Sequence, residues 1–255
     1  THSPMGSRLM RRWLSMPLKN KEQITARHEI VNFFVNNNEY ISSFQDSIRQ
    51  VGDLERLISK VSLLRVNPRE LLQVARALDQ IEIIKELCIK SGNDSLKLYA
   101  DQLYVCHSIR QGIKRVVNPD SPALLAKGNF INDNVDEELD SLRSLSRSGK
   151  DYLTNIQKRE VAATGISSLK IGYNNVFGYY LEVTNLHKDK VPTEWIRKQT
   201  LANAERYITE ELKEYEQKIL GADEKIHSIE ERLYFELINA CGEFVAPIKV
   251  NASLI

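Results

Sequence analysis

The sequence is poor in the residues that interrupt helices, with only 7 Pro and 11 Gly among its 255 positions. This scarcity favours long helices over the many tight turns that sandwiches and barrels need. No run approaches the roughly 18 apolar residues of a membrane span, and the first residues show no apolar core of a secretory signal. We therefore expect neither an integral membrane protein nor a secreted one.

The sequence also has few cysteines and a net charge close to zero. The three cysteines, Cys88, Cys106 and Cys241, lie far apart and form no CxxC pair, which favours a reduced intracellular protein over a disulfide scaffold. Basic and acidic residues nearly balance, 35 against 34, so any surface that binds nucleic acid must be local. The five histidines lack metal-type spacing, and no catalytic constellation is visible.

Apolar residues at helical spacing predict a series of helices over residues 5–117. Two helix starts carry capping signals, Asp53 before one helix and Asn67 with Pro68 before another that continues to Lys90. The last helix of the series is predicted from Leu96 to Val117, where a proline-rich stretch follows.

Two later segments predict unusually long helices, from about Asn134 to Thr164 and from about Thr209 to Phe244. Each carries one narrow apolar stripe. The stripes are Val135, Leu139, Leu142, Gly149, Leu153 and Ile156 in the first, and Leu212, Tyr215, Ile219, Ala222, Ile226, Ile229, Leu233 and Leu237 in the second. A helix with a single stripe must pair with another, and the second stripe has near-heptad spacing. We expect the two helices to form an antiparallel arm.

Between these helices, residues 165–208 show the period-two alternation of β-strands. Residues 169–174 and 179–184 predict a hairpin, and segments 195–201 and 205–208 predict two further strands. The predicted fold class is therefore mainly α: a multi-helical core and two long antiparallel helices that are capped by a small antiparallel β module.

The β module has a local excess of positive charge, because six basic residues oppose four acidic ones. On its first strand, Lys170 and Asn174 share a polar face with Gly172. Arg197, Lys198 and Arg206 add further donors, and such a surface suits contacts with phosphates. The polar face of a small antiparallel sheet is usually just solvated, so the residues alone favour an ordinary surface and leave DNA contact open.

Longer motifs along nearly the whole chain resemble the MutS family of DNA mismatch-repair proteins. They are residues 5–14, 27–31 and 52–56, then LKIGYN at 169–174, FGYY at 177–180, and the run 197–207 with ELKEYE at 211–216. The resemblance implies the family's helical core, levers and clamp. We expect the helical core at 1–132, a first lever helix at 133–164, a β-rich clamp at 165–208, and a second lever helix returning to the core at 209–255.

In this family the clamp grips the DNA backbone without reading sequence, and the levers connect it to an ATPase. The resemblance implies backbone contacts with double-stranded DNA for Lys170, Asn174, Arg197, Lys198, Asn203 and Arg206. The family's Phe-x-Glu mismatch motif and a GxxxxGK[ST] nucleotide loop are missing from the sequence. We therefore expect a piece of a longer protein that is not itself an enzyme and holds no metal or cofactor, with ATP and Mg²⁺ bound elsewhere in the full-length parent.

The resemblance also implies partners and a location: the remaining MutS domains, a homodimeric parent, no membrane, and the bacterial cytoplasm with nucleoid association on DNA. Two alternatives stay open. The arm could dock another protein through Trp195 and the tyrosines at its tip, since Tyr and Trp are common interface anchors. A MutS paralogue that acts in recombination would carry the same segment.

Overall fold

The computed structural model describes residues 1–255 except Asn175 and Phe177, and except the side chains of Arg147, Gly149, Lys150, Lys218, Ile219 and Leu220. Three sequence-based assignments therefore lie outside the described residues: Phe177 in the FGYY motif, and the side chains of Gly149 and Ile219 in the stripes. The chain divides into two compact units, one of Thr1–Val135 with Glu230–Ile255 and the other of Asp136–Ile229.

The chain is mainly helical, as predicted. Its helices are α1 (Pro4–Ser15), α2 (Lys21–Asn36), α3 (Asn38–Val51), α4 (Leu54–Ser62), α5 (Pro68–Lys90), α6 (Asp94–Gln102), α7 (His107–Val116), α8 (Glu137–Thr164), α9 (Glu210–Gly242) and α10 (Val245–Leu254). In the parts of the chain that the structure describes, no helix combines the length and the apolarity needed to cross a membrane.

Helix α5 is the centre of the first unit. It packs against α3, α4, α6 and α7, and Leu71, Leu78 and Ile81 on it are fully buried. Its start follows the predicted capping: the Asn67 side chain accepts from the Glu70 amide, and the Glu70 carboxylate accepts from the Asn67 amide. This reciprocal pair satisfies two backbone donors that a helix start otherwise leaves open.

The single helix predicted from Leu96 to Val117 is wrong, because two helices with a break at residues 103–106 occupy this segment. At the break, Cys106 has a left-handed backbone with φ of 49°. The Asn251 side chain takes both backbone groups of Tyr104, accepting from its N–H at 2.8 Å and donating to its C=O at 2.7 Å. A partner this distant in sequence leaves no trace in local periodicity, so the pattern missed the break.

The segment expected to return to the core as one helix is divided between α9 and α10 at residues 243–244. Pro247 explains the division. In a continuous helix its ring would clash with the Glu243 carbonyl, and it has no N–H to donate to that carbonyl. In the first turn of α10 neither defect matters, because amides there have no partner within the helix.

A buried carboxylate anchors a loop in the first unit. Glu230 has no exposed surface, and its two oxygens accept from the Asn129 amide at 3.1 and 2.9 Å. Nearby, the rings of Phe130 and Tyr234 stack edge-on at 5.6 Å, and the Tyr234 hydroxyl donates to the Val66 carbonyl at 3.0 Å. The end of α9 thus binds the loop before α8 through both polar and apolar contacts.

In the second unit, α8 and α9 run antiparallel, as the stripes predicted. Ser146 donates to Asp223 at 3.0 Å, and the Tyr152 hydroxyl donates to Glu211 at 2.6 Å. The Tyr152 ring also packs against Tyr215, with 5.1 Å between centroids. Within the stripes, Leu139, Ile156, Leu212, Tyr215 and Ala222 are buried.

The same unit holds a four-stranded antiparallel sheet of β1 (Lys170–Asn174), β2 (Gly178–Thr184), β3 (Ile196–Thr200) and β4 (Ala204–Ile208), in the order β1-β2-β4-β3. One face of this sheet packs against the two long helices. The shared core consists of Ile156, Ile166, Leu169, Leu181, Val183, Trp195, Tyr207 and Leu212. The predicted strands are confirmed, and the aromatics Trp195 and Tyr207 belong to the core.

We predict that Glu230→Ala destabilises the chain by about 1 to 3 kcal/mol, because it removes the fully buried carboxylate that accepts from the Asn129 amide. Urea denaturation followed by circular dichroism measures the loss. Glu236→Ala is the matched control, since Glu236 lies on the same helix in an exposed pair with Arg232. Such a pair contributes at most about 1 kcal/mol. Equal losses for the two variants would contradict the anchoring role of Glu230.

Candidate nucleic-acid interface

The sheet of the second unit has one face towards the helices and one outer face. Leu181, Val183 and Tyr207 mark the inner face, because they belong to the shared core. Alternation along the strands then places Lys170, Glu182 and Arg206 on the outer face, where the register sets Lys170 opposite Glu182 and Glu182 opposite Arg206. The outer face therefore carries a row of charged side chains across three strands.

Arg206 is the most constrained cation of this row. Its Nε donates to Glu182 Oε2 at 2.9 Å and its Nη1 donates to Gln199 Oε1 at 2.9 Å. The guanidinium carbon lies 4.3 Å from the centroid of the Tyr180 ring, a cation–π distance. The Nη2 group forms no hydrogen bond with a described residue. Its N–H donors therefore remain available for a ligand, while the other two nitrogens hold the guanidinium in place.

Gly172 makes room for this arrangement. A Cβ at this position would lie 2.7 Å from the Tyr180 ring, so the ring packs directly over the glycine. Gly172, Tyr180 and Arg206 thus form a layered stack across β1, β2 and β4. The sequence offered one signal of it, a glycine inside a strand pattern, which often marks a close approach of another group.

Four other predicted contact residues lie on the edge strands or in a turn: Lys170 and Asn174 on β1, Lys198 on β3, and Asn203 between β3 and β4. Lys170 is exposed at the start of the edge strand β1, and Asn174 ends that strand with its Oδ1 accepting from the Val176 amide at 2.8 Å. Lys198 is the extra residue of a β-bulge, because the pairing shifts between Arg197 and Gln199. Asn203 is exposed in the turn between β3 and β4.

Arg197 lies apart from Lys170 and Arg206. It pairs with Tyr207 in register, on the inner side of the edge strand β3, and its guanidinium binds Glu205 at 3.2 Å. The Tyr207 hydroxyl also donates to Glu205, and this bond together with the charge of Arg197 lowers the pKa of Glu205. Burial raises the pKa of Tyr207 to about 12. The Arg197 charge is therefore balanced by Glu205.

The described residues hold no group of three His, Cys, Asp or Glu that would suit a metal ion. The first unit has a cleft of about 480 Å³, and its lining is mostly apolar, with Trp13, Phe34, Phe44 and Cys88 among its walls. Arg27 is the one basic residue among the described residues that line this cleft, and its guanidinium carbon lies 3.6 Å from the centroid of the Trp13 ring. Burial raises the pKa of Cys88 to about 11, which keeps its thiol protonated and unreactive.

Comparison with known proteins agrees with the motifs. Residues 134–225 match the model of MutS family domain IV. Over all 255 residues, the chain is 53% identical to the DNA mismatch repair protein MutS of Flavobacterium psychrophilum, 54% to that of Bacteroides fragilis and 55% to that of Parabacteroides distasonis. The chain belongs to the MutS family. It spans only 29% to 30% of the length of these relatives.

The match to MutS domain IV coincides closely with the second unit, Asp136–Ile229. The sheet, α8 and the first half of α9 therefore belong to one MutS domain, and the outer face with Lys170, Asn174 and Arg206 lies inside it. The first unit aligns with the MutS relatives over its whole length, although the domain IV model does not cover it.

We predict that Gly172→Ala lowers the melting temperature, because the added methyl group displaces the Tyr180 ring from its place under Arg206. Overpacking of this kind costs about 1 to 3 kcal/mol. Gly221→Ala is the control: nothing lies within 4 Å of its Cβ position, and alanine favours the helix by roughly 0.5 to 1 kcal/mol. The melting temperatures of the two variants should shift in opposite directions. An unchanged melting temperature for Gly172→Ala would contradict the layered stack.

Proposed function

We propose that this chain is the lever and clamp segment of a DNA mismatch-repair MutS protein, and that its clamp binds the backbone of duplex DNA without reading the sequence. One observation carries the proposal. Within the region matched by MutS domain IV, Lys170, Asn174 and Arg206 share the solvent-facing side of one sheet. Cationic and amide donors on a common surface suit phosphate oxygens.

The packing of Tyr180, Trp195 and Tyr207 supports contact with phosphates rather than with bases, whereas Tyr173 on β1 is 47% exposed. Trp195 and Tyr207 are each 7% exposed and belong to the core, and Tyr180 is covered by Arg206. Recognition of splayed bases depends on accessible aromatic platforms. The outer face instead offers lysine, arginine and amide groups, which bind the backbone of any sequence.

The two long helices support a mechanical role for the segment. Both enter the core beneath the sheet, through Ile156 of α8 and Leu212 of α9, and Arg159 of α8 binds Glu211 of α9. Close-packed contacts of this kind resist bending. In the full-length parent, we expect these lever helices to couple clamp position to an ATPase domain that binds ATP and Mg²⁺.

The remaining assignments follow from the same proposal. The segment itself catalyses no reaction and acts with the other MutS domains in a homodimer in the bacterial cytoplasm. The relatives at 53% to 55% identity are named mismatch-repair proteins, which supports repair over recombination. A protein-docking arm has less support, because two of its proposed anchors, Trp195 and Tyr207, are buried against each other.

A titration onto a labelled duplex of about 30 base pairs, with and without one G·T mismatch, tests the proposal. We predict equal dissociation constants for the two duplexes, roughly 10⁻⁴ to 10⁻⁶ M, and loss of binding as salt is added. Tighter binding to the mismatch would contradict a clamp that reads only the backbone. Absence of binding at the lowest salt concentration would overturn DNA binding by this segment.

Substitution of Lys170 tests whether the outer face is the contact surface. Lys170→Gln should flatten the dependence of log K on log salt by about 0.9, the slope of one phosphate contact. Lys225→Gln makes the same charge change at an exposed position of α9 and should leave the slope unchanged. Equal effects of both variants would indicate general charge attraction instead of a defined surface.

A further inference from the structure

One carboxylate stands in the middle of the proposed DNA-binding face. Among the described residues, the strand positions that alternation places on the outer face are Lys170, Gly172, Asn174, Tyr180, Glu182, Thr184, Ile196, Gln199, Ala204, Arg206 and Ile208. Glu182 is the single acidic residue in this set. An anion at the centre of a surface that binds phosphates opposes that binding.

Glu182 stands between the two cations of the row and binds one of them, Arg206. It lies opposite Lys170 on one neighbouring strand and opposite Arg206 on the other, and its carboxylate binds Arg206 at 2.9 Å. The side chains of Glu182 and Arg206 are 32% and 19% exposed, so the pair is reached by solvent. A phosphate that approaches Arg206 therefore meets a carboxylate already bound to the guanidinium.

Arg206 does not depend on Glu182 alone for its position. Gln199 accepts from its Nη1, and the Tyr180 ring supports its planar face from below. Without the charge of Glu182, these contacts keep the guanidinium on the outer face with its positive charge unbalanced. A partly exposed ion pair also contributes little to stability, so its exchange for a phosphate meets little resistance.

We propose that Glu182 limits the affinity of the clamp for DNA, because it neutralises Arg206 and competes with phosphate for the guanidinium. The inference rests on the proposed function, since it concerns the same sheet face. Its consequence is a clamp whose hold on duplex DNA is kept weak by a residue of its own, so that the DNA is released readily. Binding and release are both needed from a surface that does not read sequence.

Glu182→Gln in the full chain tests this inference, because the amide oxygen still accepts from Arg206 while the charge is removed. We expect a salt dependence steeper by about 0.9 in slope, so that the ratio of the variant's affinity to that of the wild type rises roughly 3.5-fold as salt falls from 200 to 50 mM, as for one added phosphate contact. Glu194→Gln is the matched control. It removes the same charge in the same module from an exposed side chain that forms no ion pair with a described residue.

The Arg206→Gln background shows whether the effect passes through Arg206. There, Glu182→Gln should change affinity no more than Glu194→Gln does. A Glu182→Gln variant that binds like the wild type would overturn the inference, and one that binds more weakly would mean that Glu182 orients Arg206 as a phosphate ligand. Both results require a wild type that binds; if neither protein binds duplex DNA at low salt, the proposed function fails together with this inference.

Discussion

The apolar cluster between the sheet and the two long helices is the constraint on which the rest of the second unit depends. A small sheet has one face that it must bury, and here Leu181, Val183 and Tyr207 pack against Ile156 of α8 and Leu212 of α9. Because the side chains of a strand alternate, burial of this set leaves the opposite set in water. The polar character of the outer face is therefore a direct consequence of where the core lies.

On the outer face, residues that neighbour Arg206 hold its guanidinium in place and also reduce its positive charge. The glycine at position 172 allows Tyr180 to lie flat, Tyr180 supports Arg206, and Glu182 binds its guanidinium. The proposed phosphate-binding surface differs from a simple positive patch, because Arg206 is both held in place and partly neutralised. Under this proposal, affinity for the DNA backbone depends on the competition between Glu182 and phosphate as well as on the number of cations.

Sequence reasoning succeeded where the cause is local and failed where it is distant. The Asn67 cap, the strands and the paired stripes follow from neighbouring residues, so pattern alone predicted them. The break before α7 depends on Asn251, which lies far along the chain from Tyr104. Cross-strand register likewise decides which donors share a face. The pairing of Arg197 with Tyr207 places Arg197 on the side of Glu205, away from Lys170, and the bulge at Lys198 then brings Gln199 opposite Arg206.

Backbone amide chemical shifts, recorded by NMR during titration with duplex DNA, test most directly that the outer face of the sheet is the contact surface. The account predicts the largest shift changes at Lys170, Asn174, Lys198, Asn203 and Arg206, with small changes at buried Leu181 and Val183. These shift changes should decrease together as salt is added, as expected for phosphate contacts. Changes centred on the helices of the first unit, with an unaffected sheet, would contradict it.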